Sequence, residues 1–208
     1  MKSPVEVFEE AERFCRHNGF GQEIDWCDRR ISFDAMDEQR FLLEYAWVVF
    51  NSGMSNRVIR QKWSKLRLSF IDFQPQKIVQ DEESVRDCAL MAFGNKKKVK
   101  AVIDMAKRLW LGNYYIDIYE KVNENPLEFL KTLPFIGDVT KYHLARNLGF
   151  DYVKPDRHLV RLASKYGMTA HEFCQIIHEK TGRRLGTIDV ILWRFCEQRG
   201  QTKLSDRR

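Results

Sequence analysis

Apolar residues in this chain recur at spacings of three and four, and strictly alternating β-branched runs are scarce. That period lines up side chains on one face of a helix rather than one face of a strand, so an all-α fold is expected. Periodic stretches fall at about 4–17, 37–51, 55–68, 76–92, 96–110, 114–122, 126–132, 138–147, 157–166, 170–181 and 186–198. Gly19, Gly53 and Gly112 stand where helices should close, Ser55 where one should open, and Thr169 with Glu172 makes a capping box. The stretch from Gly19 to Phe33, with Trp26, Cys27 and the run Asp28-Arg29-Arg30, has no clean period and reads as a structured loop. The polar tail QTKLSDRR after Gly200 reads as a fraying end.

With 208 residues the chain is long enough for one large domain or two small lobes around a real core. No stretch approaches the ~18 uncharged apolar residues that a membrane span needs. The N-terminal MKSPVEVFEEAERF carries acids where a signal peptide requires an apolar run, so an intracellular protein without a membrane partner is expected. Cys15, Cys27, Cys88, Cys174 and Cys196 are odd in number and contain no CxxC pair, which argues against a disulfide framework or a zinc ribbon and for buried thiols. The formal charge of +6 favours an anionic partner only weakly.

Pro126 to Leu133 reads as a short helix, Pro134-Phe135-Ile136-Gly137 as a tight connection, and Asp138 to Gly149 as a second helix. The start of such a helix offers unpaired backbone N–H groups and the positive end of the dipole, which suit a phosphate without any base being read. Gly137 permits the close approach, and Lys141, one turn in, adds a charge. The same Leu-Pro-x-x-Gly link also serves as a purely structural joint. Asp156 follows Gly137 by 19 positions (156 − 137) and stands at the head of an apolar helix, where Pro-Asp is an ordinary N-cap signal. Capping and catalysis are compatible, because the dipole keeps a capping carboxylate ionised and rigidly oriented. Cleaving a glycosidic bond to a base needs such a group, to stabilise positive charge on the sugar and to orient or deprotonate water.

The pair LPFIG and KPDRHLVR at this separation resembles the signature of the helix-hairpin-helix (HhH-GPD) DNA glycosylase superfamily. The likeness reaches outward to FLLEYAWVVFNSG and NKKKVKAVIDMAKRL, over roughly residues 37–166. GMSNRVIRQKWSKLRLSFIDFQPQKI has, more loosely, the order seen in 3-methyladenine DNA glycosylases. The resemblance implies a two-lobed helical fold with the active site in a cleft between lobes. Residues 37–150 would form the lobe bearing the hairpin, and 1–36 plus 151–208 a second lobe built from both termini. It implies base excision repair on double-stranded DNA containing a damaged or mispaired base, by a monomer, with Asp156 catalytic. Pro134, Phe135, Gly137, Val139 and Lys141 would then contact DNA, and Asn51, Ser52 and Met54 would form the turn that fills the gap left by an extruded base.

Members that also cut the backbone carry a Schiff-base lysine two residues after the last hairpin glycine. That position is Val139 here, and Lys141 points about 200° away from it on a helix, so a monofunctional, water-using glycosylase is expected. A lyase recruiting another lysine such as Lys154, and a non-catalytic DNA-binding module in which Asp156 only caps, remain the alternatives. Phe135 replaces a glycine common in the hairpin, and Asp138, a good N-cap, brings negative charge to its mouth. The four-cysteine loop of some members is absent after Gly149, so no iron–sulfur cluster, metal or other cofactor is expected. NKKKVK crowds lysines at a helix start, against the dipole, so Lys96 and Lys97 are candidate phosphate contacts; a solvated charge run accounts for them equally well. Trp26, Phe135, Tyr114 and Tyr115 are candidate stacking surfaces for a flipped base, although aromatics are more often core. His143 and His158 are better read as structural residues than as acid–base groups.

Overall fold

The computed structural model describes residues 2–29 and 32–205, the last seven by their backbone alone; Met1, Arg30, Ile31 and the tail residues 206–208 lie outside the described residues. In chain order the helices are α1 Pro4–His17, α2 Gly21–Asp28, α3 Glu38–Asn51, α4 Asn56–Ser69, α5 Pro75–Gln80, α6 Glu82–Phe93 and α7 Lys96–Leu111. They continue with α8 Glu120–Glu124, α9 Pro126–Lys131, α10 Thr140–Asn147, α11 Arg157–Ser164, α12 Ala170–Thr181 and α13 Leu185–Ser205. No strand occurs among the described residues, and the fold is all-α. The chain divides into two compact units, one of Met1–Ile31 with Gly149–Arg208 and one of Ser32–Leu148.

In the unit made from both termini, α13 packs against α1, α2, α11 and α12. Ser3 opens α1 with a full capping box: its hydroxyl accepts the Glu6 N–H at 3.3 Å, while the Glu6 carboxylate accepts the Ser3 N–H at 2.7 Å. Val7, Phe8, Ala11 and Cys15 then fall on one face and are buried. Withdrawing a side chain such as Phe8 from water stabilises by roughly 2–3 kcal/mol. The predicted capping box at Thr169 and Glu172 is present at the head of α12. α13 runs helical to Ser205, beyond the end expected at 198.

The stretch from Gly19, expected as a loop, contains α2. Only Ile24 and Cys27 of that helix are buried, too few positions to display a period. Its anchors are distant in sequence: the Glu23 carboxylate accepts from Arg194 Nε at 2.8 Å and Nη2 at 3.0 Å, and Asp28 accepts from Thr187 Oγ1 at 2.7 Å and from Arg183. The buried Arg194 guanidinium also meets Glu197 at 3.1 Å and lies 4.3 Å from the Trp193 ring centroid.

In the contiguous unit α3 is central, with Phe41, Leu42, Tyr45, Ala46, Val48, Val49 and Phe50 all fully buried. The expected helix at 76–92 is two helices, because Asp81 leaves helical geometry (φ −124°, ψ 43°). The expected helix at 114–122 is a π-turn over Tyr115–Tyr119 running into α8. Asp117 shapes that turn, since its carboxylate accepts the Asn113 N–H at 3.0 Å. A Cβ at Gly112 would stand 2.5 Å from the Arg108 carbonyl oxygen, so only glycine fits there. The thiols are mixed rather than uniformly buried: Cys15, Cys27 and Cys174 are buried, Cys196 is half-buried and Cys88 is exposed.

Candidate functional site

The hairpin belongs to the contiguous unit and is fixed from below. Leu133 and Ile136 are buried, the Ile136 N–H bonds Leu133 O at 3.1 Å, and the Tyr45 hydroxyl donates to Pro134 O at 3.1 Å. Burial raises the Tyr45 pKa, so this phenol remains a donor. Phe135 has φ +64°, the left-handed conformation that a glycine adopts without cost. This is the position at which it replaces the glycine of the resemblance, so the backbone shape is kept despite the change of residue.

The second hairpin helix begins later than expected. α10 opens at Thr140 with Val139 as its N-cap residue, and Asp138 is not the cap. The Asp138 carboxylate turns instead to Lys131 at 2.6 Å, and the hydrogen bond from Lys131 holds its carboxyl below the usual range. Thr140 takes over locally: its Oγ1 accepts the Gly137 N–H at 2.7 Å. Among the described residues no backbone carbonyl accepts the N–H groups of Asp138, Val139 or Thr140. These three donors stand at the N-terminal, positive end of α10, the electrostatic arrangement that suits an anion. An open recess of about 450 Å³ lies there, lined by Ser52, Phe135, Ile136, Gly137, Val139 and Thr140.

The predicted turn after α3 thus meets the hairpin at this recess through Ser52. Met54 is exposed, Gly53 is left-handed at φ +68°, and Asn51 is folded back. The Asn51 amide donates to Trp47 O at 2.8 Å and accepts from Asn56 Nδ2 at 3.2 Å. Val139 is 42% exposed and faces the recess, whereas the Lys141 side chain is only 11% exposed. Its ammonium lies 3.3 Å from Glu128 and 4.0 Å from Asp138, so its charge is already matched by two carboxylates.

The four lysines of NKKKVK have separate fates. Lys96 and Lys97 are exposed and, among the described residues, form no ion pair. Lys100 pairs with Asp104 at 2.6 Å. Lys98 is buried and donates to Phe50 O at 2.9 Å and to Ser52 O at 2.5 Å. Tyr114 is half-buried with its hydroxyl on Met36 O at 3.2 Å, Tyr115 stacks on Tyr119 at 4.9 Å, and Trp26, in the other unit, is 46% exposed.

Asp156 lies in the unit of both termini, at the N-terminus of α11. Its Oδ1 accepts the N–H groups of His158 at 2.9 Å and Leu159 at 3.0 Å. Among the described residues Oδ2 takes no hydrogen bond, so half of the carboxylate is spent on capping and half is left over. The loop before it is braced by Asp189, a buried carboxylate of α13 whose Oδ2 accepts the Lys154 N–H at 3.1 Å. Asp151 completes the frame by accepting Leu185 N–H at 3.1 Å and Gly186 N–H at 2.8 Å at the head of α13. His158 Nε2 accepts from Nε of its neighbour Arg157 at 3.3 Å. Sequence reasoning missed Asp189, although a single carboxylate inside the apolar run TIDVILW marks a buried acid with a specific partner. It also missed Lys98 and Thr140.

Among the described residues no group of three or more His, Cys, Asp or Glu side chains is placed to hold a metal ion, and no helix is long and apolar enough to cross a membrane. No family model and no curated protein matches the sequence. The structure is similar to the crystal structure of the 8-oxoguanine DNA glycosylase of Thermotoga maritima, with a TM-score of 0.59 and 18% identity, over 91% of this chain and 95% of that one. At that identity the likeness establishes the fold.

Proposed function

We propose that the protein is a DNA glycosylase of base excision repair, cleaving the N-glycosidic bond of a damaged or mispaired base in double-stranded DNA with water as the nucleophile. The observation that carries this reading is the divided carboxylate of Asp156: Oδ1 is pinned by two backbone N–H groups, and Oδ2 has no hydrogen-bond partner among the described residues. A carboxylate so fixed stabilises positive charge on the sugar as the base departs and accepts a proton from the incoming water. The hairpin recess, beside three N–H donors that no carbonyl among the described residues satisfies, serves as the backbone grip, helped by Lys96 and Lys97. Ser52 and Met54 serve as the gap-filling turn. Val139 in the recess, where a Schiff-base lysine would stand, supports the monofunctional reading.

The likeness to an 8-oxoguanine glycosylase makes that lesion the first substrate to try. Purified protein is incubated with single-lesion duplexes containing 8-oxoguanine, an alkylated purine, or uracil or thymine mispaired with guanine, and hot alkali then exposes abasic sites. Asp156→Asn keeps the cap through its side-chain oxygen but removes the charge, so excision falls at least about 100-fold while the fold is retained. A variant as fast as wild type removes the catalytic assignment.

A further inference from the structure

Lys98 is 5% exposed, yet no carboxylate among the described residues pairs with it. It stands in the first turn of α7, where the helix dipole opposes a cation, and desolvation pulls its pKa below the ordinary lysine value. Its compensation comes from the opposite pole of another helix. The ammonium donates to Phe50 O at 2.9 Å and Ser52 O at 2.5 Å, carbonyls at the C-terminal end of α3 that no backbone N–H satisfies among the described residues. It also lies 5.7 Å from the Phe93 ring centroid and 6.0 Å from that of Phe135. Ser52 and Phe135 both line the recess. One buried cation therefore touches the turn after α3 and the tip of the hairpin, two segments about eighty positions apart.

We propose that Lys98 is a positioning residue that locks the 51–54 turn against the hairpin, so that the turn is already set to occupy an opened duplex when the hairpin holds the backbone. This rests on the reading of that turn as the gap-filling element. A pre-set turn favours DNA whose base is already missing over intact duplex, because less ordering remains to be done on binding.

The test measures the affinity of wild type, Lys98→Met and Lys98→Gln for two duplexes of one sequence, one intact and one carrying a stable abasic analogue. Circular dichroism is recorded for each protein. Wild type should prefer the abasic duplex; without that preference the gap-filling reading itself fails, whatever the variants do. Given the preference, Lys98→Met should reduce it about tenfold, as expected for two lost carbonyl bonds, while intact-duplex affinity stays within about twofold. Lys98→Gln can still donate to one carbonyl and guards against misfolding of the methionine variant; its preference should fall about threefold. Folded variants that keep the full preference overturn the proposal. So does failure of both to fold, which would make Lys98 a residue of the core alone.

Discussion

The most exposed charge at the hairpin is negative, and its removal gives a direct measure of whether DNA sits there. The Asp138 side chain is 75% exposed and paired with Lys131 at 2.6 Å. Its carboxyl is held below the usual range by that hydrogen bond, so it is ionised at neutral pH. For a phosphate held by the N–H groups of Asp138, Val139 and Thr140 and taken at a separation on the order of 7 Å from this carboxylate in water, the repulsion between two unit charges is roughly equal to the thermal energy, which corresponds to about a threefold loss of affinity. At physiological ionic strength, with a screening length of about 8 Å, the factor drops below about two. Asp138→Asn also releases Lys131, which can then meet a phosphate of its own. The expected result is about threefold tighter binding of intact duplex at low salt, with the curves converging as salt rises and the slope of log Kd against log salt steeper by up to about one phosphate contact. Fluorescence anisotropy titrations at four or more salt concentrations read both quantities. A folded variant that binds no tighter than wild type at low salt would show that the backbone does not pass over this mouth.

Val139→Lys places an amine in the recess, at the position where the resemblance puts the Schiff-base lysine. Borohydride should then trap a covalent complex with abasic DNA that wild type does not form, and absence of trapping in both would show that the hairpin register differs from that of the lyases. Phe135→Gly should be more stable than Phe135→Ala by about 0.5–1 kcal/mol, inverting the usual order, because alanine bears about 1–2 kcal/mol of left-handed strain at φ +64° while glycine loses only about 0.5–1 kcal/mol in chain entropy. Urea denaturation of the two variants decides it, since loss of the ring is common to both; an alanine variant as stable as the glycine one refutes the strain.

What could be read from sequence was what the chain settles locally. Capping at Asp156 and Thr169 depends on residues within three positions, and the apolar faces of α1 and α3 repeat with the helix itself. What was misread depended on distant partners or on competition between neighbours. α2 has two buried residues and a glutamate whose arginine lies 171 positions away. Asp138 has the composition of an N-cap, but Lys131 draws off its carboxylate and leaves Thr140 to bond Gly137. Lys98 is indistinguishable from Lys96 and Lys97 in a basic run, because burial is decided by carbonyls 46 and 48 positions earlier. The pattern LPFIG showed that a hairpin was present, and Phe135 in the left-handed region shows how it survives the loss of a glycine.

The division of the chain also sets an order of events during synthesis. All internal contacts of the Ser32–Leu148 unit can be closed once residue 148 has been made. The other unit cannot be completed then, since Phe8, Ala11 and Cys15 of α1 belong to a core that includes Ile188, Ile191 and Leu192 of α13. At ribosomal rates of about 5–20 residues per second, the greasy face of α1 waits on the order of ten seconds for its cover. A nascent chain released early, or stalled after the hairpin, would carry a finished hairpin unit alongside an orphaned sticky helix, and would be a client for chaperones rather than a working fragment.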